Sequence, residues 1–473
     1  MRLLHLKILV LLWLINFAPP LLAHFLENKW NRPLDRGKVL MDGEPLFGPH
    51  KTERGVIGAV LMGYAAGLSL GFHWWVGISC AVLSMSGDLL SSFIKRRLHQ
   101  PSGRVAPGLD QVFEGLLPLA VLAGYLPLSL TAVAVLFTIF AGGAYLGSWF
   151  FKKVLLEKPD EDYPRPLSSR VRFKELRRCS VPLTPFHLWL NFENVIYYNL
   201  IMTGAFRLLG LYEKGRENAL QVCKREITLA FPDLPEAFDG YTILFMSDLH
   251  LDGLDGLTEK LQTLLATVSA DLFLLGGDLR METYGSYAEA MARFMRLLPC
   301  LRVRDGMYGV LGNHDCLEMV PQLMEAGVSI LINDAVALER QGQRIRIVGI
   351  DDPHHFQCHD VEKAFEDIPR EDFVIFLSHS PEVYREAQQA GARLYLCGHT
   401  HAGQIQILPI GPIFTHSRTG RRYVQGTWQY RDMQGYTSAG VGTSGIPVRY
   451  FSEGEVVLIT LKRGNGNTPG NSQ

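Results

Sequence analysis

Asp248 with His250, Asp278, Asn313, His379, and His399 with His401 bring carboxylate, amide and imidazole donors together in the second half of the chain. They fall in five short segments: Ser247-Asp248-Leu249-His250, Gly277-Asp278, Gly312-Asn313-His314-Asp315, Ser378-His379-Ser380 and Gly398-His399-Thr400-His401. Such a mixture of hard and borderline donors suits two divalent transition metals, and a two-metal centre is suited to the hydrolysis of phosphate esters. One Asp-x-His or His-x-His alone carries little weight, because short motifs recur by chance and a lone histidine beside a strand is usually hydrogen-bonded structure. Five in one chain are another matter.

Each segment follows a run rich in Leu, Ile, Val or Phe, the pattern by which buried strands hand residues to loops at a sheet edge. Strand-like runs at 271–276, 307–311, 345–350, 373–377 and 393–397 alternate with helix-like stretches at about 257–268, 285–298, 318–326 and 381–390. That alternation, entered through Arg225–Leu229 and Tyr241–Met246, predicts a layered α/β architecture.

The order D-x-H, G-D, G-N-H-D, H and G-H-x-H resembles the calcineurin-like metallophosphoesterase family over about residues 222–462. The resemblance implies an α/β sandwich of two facing sheets flanked by helices, with the metals at the sheet ends. It puts Asp248, His250 and His401 on one metal, Asn313, His379 and His399 on the other, and Asp278 between them. Mn, Fe or Zn would serve, activating a water for in-line attack on phosphate between cations ~3.5–4 Å apart. His314 lies outside the ligand set in this scheme, as a cationic imidazole stabilising transferred charge, with Asp315 orienting it. The segment Gly440–Arg449 resembles one found in a branch of the family that is often membrane-associated. His354, His355 and His359 belong to no ligand frame and read as a solvated loop. Cys316, directly after Asn-His-Asp, reads as a packing residue.

The 473 residues suffice for two or three domains, and a net charge of −1 gives no global basic field for nucleic acid. Seven cysteines, odd in number, scattered and without a C-x-x-C pair, argue against a disulfide framework and a zinc ribbon and favour a reducing compartment.

Hydrophobicity is concentrated before residue 151. Runs at 6–26, 56–72, 76–93, 112–126 and 128–150 predict an all-α membrane domain over 1–153 with about five spans, the first retained rather than cleaved. Lys and Arg crowd the loop 27–55, the segment 95–104 and the end of the fifth run, whereas the turns Phe72–Trp75 and Gly124–Pro127 have none. Positive loops stay cytoplasmic, so the hydrolase is expected on the cytoplasmic side of the cell (inner) membrane.

These basic loops hold Lys51 and Arg54 in K-T-E-R-G, Asp88 before S-x-x-K-R with Lys95 and Arg96, and Asp110 in G-L-D-Q. Basic groups beside carboxylates are what a magnesium–triphosphate substrate requires, although positive-inside anchoring explains the Lys and Arg equally well. Residues about 9–150 resemble the CDP-archaeol synthase branch of the CTP-dependent phosphatidate cytidylyltransferases. That implies cytidylyl transfer from CTP to a lipid phosphate, with Asp88 and Asp110 on Mg and Lys51, Lys95 and Arg96 on phosphate. Phe113 departs from the pattern where a second acid is expected, with Glu114 adjacent.

Residues 154–221 read as a linker, with an apolar stretch from Phe186 to Tyr212 suited to a helix in the membrane interface, and 463–473 as a disordered tail. The combined expectation is a membrane-bound binuclear phosphoesterase acting on a phospholipid or lipid-linked substrate such as UDP-2,3-diacylglucosamine. A cytidylyltransferase in the first domain, or an N-terminal domain that only anchors and binds lipid, are the alternatives.

Overall fold

The computed structural model describes residues 3–27, 29–100, 109–179, 184–185, 189, 191–192, 195–407, 411–412, 415 and 417–464. The chain forms two compact units, Met1–Tyr163 with Leu167–Phe173 and Pro164–Pro166 with Lys174–Gln473.

The first unit is helical. Its apolar runs become α1 (Leu3–Leu26), α2 (Glu53–Ser69), α3 (Trp74–Arg97), α4 (Leu109–Tyr125) and α5 (Leu130–Leu155). Side-chain caps set two of the starts: Thr52 accepts from Gly55 N and Ser129 from Ala132 N. The helices share one core, in which Ile8, Leu11, Leu12 and Ile15 of α1 pack with Ala59, Val76, Ala81, Leu119 and Phe140. A side chain on Gly63 would lie 2.5 Å from the Gly77 carbonyl, so α2 and α3 meet backbone to backbone, as small residues allow. Of the five expected spans, α1, α3 and α5 are long and apolar enough to cross a membrane. α2 and α4, at 17 residues each, reach only about 25 Å at ~1.5 Å per residue.

α6 (Ser169–Cys179) follows, a basic helix in a stretch whose composition reads as linker. Of the apolar stretch 186–212, residues 186–188, 190, 193 and 194 lie outside the described residues; Val195–Met202 winds as a wide π-helix into the α-helix Thr203–Leu208. The tail from 465 onward also lies outside them.

The second unit is built on β1 (Val222–Phe231), β2 (Thr242–Met246), β3 (Leu272–Leu275), β4 (Met307–Gly309), β5 (Val328–Ile330), β6 (Asp334–Arg340), β7 (Gln343–Gly349), β8 (Phe373–Leu377), β9 (Leu394–Cys397), the short pair β10 (Gln406–Ile407) and β11 (Gly411–Pro412), β12 (Gly426–Tyr430), β13 (Met433–Thr437) and β14 (Gly454–Arg463). One six-stranded sheet runs β1-β14-β2-β3-β4-β5 and the other β12-β13-β9-β8-β7-β6. Alternation explains why they stack. Phe373, Ile375 and Leu377 join Ile243, Phe245, Leu272 and Leu274 in the core shared by both sheets, while Val374 and Phe376 turn to a second core with Val383, Tyr384 and Ala387. The central strands β2, β3 and β4 are parallel, as are β7, β8 and β9, so their carboxyl ends open on loops at one edge of each sheet.

Candidate metal centre

Each of the five motif segments leaves the end of a parallel strand: Asp248 after β2, Asp278 after β3, Asn313 after β4, His379 after β8 and His399 after β9. Asp248, His250, Asp278, His399 and His401 all take positive φ, between 41° and 73°, a cost that marks a functional constraint where it clusters. The loop Gly440–Gly442 clamps the first of them: Val441 N donates to Ser247 O at 3.0 Å and Gly442 N to Asp248 O at 2.8 Å. A side chain on Gly442 would lie 2.3 Å from Leu249 O, so only glycine permits this approach. Fully buried Arg449 holds the same loop, donating from Nη2 to Ala439 O at 2.8 Å and Gly440 O at 3.2 Å.

The ligand-type side chains converge. His250 Nε2 lies 3.2 Å from His401 Nε2, His399 Nδ1 lies 3.2 Å from His379 Nε2, and His379 Nε2 lies 2.9 Å from Asn313 Oδ1. Asp278 Oδ2 is within 3.7 Å of His250 Nε2 and 3.3 Å of His379 Nε2, and Asp248 Oδ1 is 3.4 Å from His401 Nε2. The rings are oriented from behind. Nδ1 of His250 donates to Arg280 O at 2.7 Å and Nδ1 of His379 to Gly276 O at 2.9 Å, which turns both Nε2 atoms toward the carboxylates. This donor set fits divalent cations: Asp248, His250 and His401 form one cluster and Asp248, Asp278 and His379 another.

Electrostatics follow the same geometry. Burial works against ionisation of Asp278, yet His379, His314 and His250 outweigh it and hold its carboxyl well below the usual range. Burial alone would lower His379; Asp278 and Asp248 instead raise it to about 10. The pocket is thus arranged to draw positive charge.

Four expectations are corrected. His314 does line the site, but burial presses its pKa to about 3, so the ring is neutral rather than cationic. Asp315 does not orient it; His314 Nδ1 donates to Met281 O at 2.6 Å, whereas Asp315 accepts from the backbone of Asp278, Leu279 and Gly312 at 2.7, 2.9 and 2.9 Å. His354 and His355 do not belong to a solvated loop: Asp352 accepts from their backbone N–H groups at 3.0 and 2.7 Å, and both line the cavity. Cys316 is not a free packing residue, because it is disulfide-bonded to Cys179 with the Cα atoms 5.7 Å apart. With that bond the composition argument for a reducing compartment loses its basis; one bridge across 137 residues is invisible to a count of scattered cysteines.

Several lining residues went unrecognised in the sequence: Met281 to Tyr284 just after Asp278, and two that precede the hydrolase. Arg178, in the last turn of α6, and Tyr198, in the π-helix, both line a cavity of about 190 Å³ with Asp278, Asn313, His314 and His399. Neither lies near a ligand motif, and nothing in the sequence pointed to them. Behind them Arg165 grips Asp351 with Nε and Nη2 at 2.6 and 2.9 Å and Glu175 with Nη1 at 3.1 Å, all buried.

In the helical unit a cavity of about 690 Å³ is lined by Lys51, Arg54, Asp88, Lys95 and Arg96 among others. Lys51 Nζ lies 2.5 and 2.6 Å from the Asp88 oxygens. The side chain of Asp110 lies outside the described residues. Glu114 lines this cavity and accepts from Asn16 Nδ2 at 2.6 Å.

Comparison with known proteins agrees with both units. The family model for calcineurin-like phosphoesterase matches residues 241–403 and that for CDP-archaeol synthase matches 6–146. The uncharacterised metallophosphoesterase YkuE of Bacillus subtilis is 31% identical over 252 residues, 51% of this chain and 85% of its own. The transmembrane protein with metallophosphoesterase domain of Danio rerio is 29% identical over 287 residues, 56% of this chain and 62% of its own. A solved intramembrane enzyme for archaeal membrane lipid biosynthesis is 29% identical and covers 28% of this chain and 88% of that one, with a TM-score of 0.22.

Proposed function

The chain belongs to the calcineurin-like phosphoesterase family and is a hydrolase; on that premise we propose that it cleaves a phosphoester or pyrophosphate bond of a lipid-linked substrate at the bilayer surface, with UDP-2,3-diacylglucosamine as the specific candidate. One observation carries the lipid part. The segment that sends Tyr198 into the metal cavity exposes Ile196, Tyr197, Leu200, Ile201, Leu208 and Leu209, the last two at 88% and 68%. An apolar strip of that extent on a surface suits the acyl boundary of a membrane and sets the cavity beside it.

Asp248, His250 and His401 would hold one cation, Asn313, His379 and His399 the second, and Asp278 both. Bound there, divalent cations supply Lewis-acid activation of phosphate and water. The chain's own groups do the rest. Gly276 O and Arg280 O fix the imidazole tautomers, and His314 presents a neutral Nε2 3.9 Å from Asp278 Oδ2, where it can accept a hydrogen bond from the attacking water.

Orientation has support on both sides. Lys and Arg in the loops after α1, α3 and α5 favour a cytoplasmic hydrolase, whereas the Cys179–Cys316 disulfide favours an oxidising face. A second activity, transfer of CMP from CTP to a lipid phosphate with Mg, is favoured by one feature of the helical unit: Glu114 supplies a buried carboxylate on the cavity wall beside half-buried Phe113.

The test is a panel of lipid phosphates, CDP-lipids and UDP-2,3-diacylglucosamine against their deacylated headgroups, using detergent-solubilised protein with and without chelator. Chelator-sensitive cleavage that prefers the acylated compound is expected. Equal kcat/KM for headgroup and lipid would sink the lipid reading, and incorporation of labelled CTP into lipid decides the second activity.

A further inference from the structure

We propose that Arg178 is a substrate-binding residue that grips the phosphate at the metal centre, and that the Cys179–Cys316 disulfide holds it there; this rests on the phosphoesterase reading above. Arg178 lies upstream of the family-matched residues 241–403, yet among the described residues lining the cavity it is the sole Lys or Arg. Its Nη1 donates to Asn313 O at 2.7 Å, so it is anchored to the backbone of a metal-ligand residue. Its own carbonyl accepts from Arg280 Nη2 at 3.1 Å, and fully buried Arg280 also donates to His314 O at 2.6 Å and Cys316 Sγ at 3.0 Å. The next residue, Cys179, is covalently bound to Cys316, two positions past His314. Arg178 is therefore fixed to the Asn-His-Asp-Cys loop by its side chain, its backbone and its neighbour's sulfur.

Arg280 and Arg449 also meet backbone carbonyls, but both are fully buried and neither lines the cavity, whereas Arg178 does. Arg178 meets a neutral carbonyl and, among the described residues, has no ion-pair partner, although Asp278 and Asp352 lie near enough to act on it electrostatically. A part-buried guanidinium without a paired anion is costly unless an anion arrives. Five N–H donors in a planar fork, one of them occupied by Asn313 O, match phosphate oxygens. Beside it, His355 lines the same cavity, with Nε2 buried and lacking a hydrogen-bond partner among the described residues. The metal ligands and Arg178 would thus face one phosphate from different sides.

The experiment measures inorganic phosphate binding by calorimetry on full-length, metal-loaded protein in detergent, with metal content determined alongside. Arg178→Ala should weaken phosphate binding about 10- to 100-fold, the range for a hydrogen bond to a charged group, with metal content unchanged. Arg178→Lys should recover part of it. Cys179→Ser should weaken binding in the same direction, and the double variant should be no weaker than Arg178→Ala alone. Unchanged affinity in Arg178→Ala, or loss of metal in parallel with phosphate, overturns the role of Arg178; unchanged affinity in Cys179→Ser overturns that of the disulfide. Wild-type protein that holds metal but neither binds phosphate nor hydrolyses any phosphoester of the panel overturns the phosphoesterase reading and this proposal with it.

Discussion

Asp278 Oδ2 stands 3.3 Å from His379 Nε2, with both side chains closed to solvent, while its Oδ1 accepts from the backbone N–H of His314 at 2.8 Å. One carboxylate thus joins the loops after β3, β4 and β8. Replacing it with Ala should leave the centre unable to hold two ions and lower hydrolysis by about 10³-fold or more. Metal analysis with kcat checks this, and two bound ions at full activity would dismiss the bridging role.

His314 Nδ1 donates to Met281 O and its Nε2 lies 3.9 Å from Asp278 Oδ2, in a third ligand-type cluster with His250 and Asp278. For His314→Ala the expected outcome is retained metal and a turnover reduced by about 10²- to 10³-fold, the range for a lost positioned hydrogen-bonding group in an active site. Loss of metal from that variant would make it a ligand.

The two histidines also set a pH profile for chelator-treated protein. Burial lowers His314 from its ordinary 6.5 to about 3, so between those values the unfolded chain takes up a proton that the folded chain refuses, and stability falls as pH drops. His379 runs the other way: burial opposes its charge, Asp278 raises it to about 10, and the stability it contributes below pH 6.5 is lost as pH rises to about 10. Thermal unfolding should show greatest stability near pH 6.5. His379→Gln should flatten the alkaline limb, and a limb unchanged by that substitution would refute the assignment.

Arg165 is buried against Asp351 and Glu175. Its replacement by Met strands two carboxylates away from water, a change expected to cost about 3–5 kcal/mol. Denaturant unfolding of the purified protein measures it, and a loss below about 1 kcal/mol would show that the network contributes little.

Topology can be read with a membrane-impermeant thiol reagent on intact cells, using single cysteines at His73 and Gly464 in a background without the native ones. With five spans and cytoplasmic basic loops, position 73 labels and position 464 does not. Labelling at 464 would place the hydrolase on the outer, oxidising side, in keeping with its disulfide.

The ligand set and the strands behind it were legible because buried parallel strands leave apolar runs and the donors stand directly at their ends, as Leu275 leads to Asp278 and Leu377 to His379. α6 was not: with Arg170, Arg172, Lys174, Arg177 and Arg178 in eleven residues, it has no apolar face to announce itself. Backbone partners were equally hidden. That His314 turns to Met281 O rather than to its neighbour Asp315 depends on where a loop folds, and the adjacent side chain of a motif can point elsewhere. The disulfide escaped because distance in sequence says nothing of distance across a loop.

Cut at Val222, the hydrolase would keep every metal ligand and lose Arg178, Cys179 and Tyr198. The metal ligands and the residues that line the cavity from the other side thus come from different stretches of the chain, joined by one disulfide and the hydrogen bonds of Arg178 and Arg280. An excised hydrolase would leave Asp351 without Arg165 and Cys316 without its disulfide, so it is expected to be less stable and to bind phosphate more weakly than the full chain.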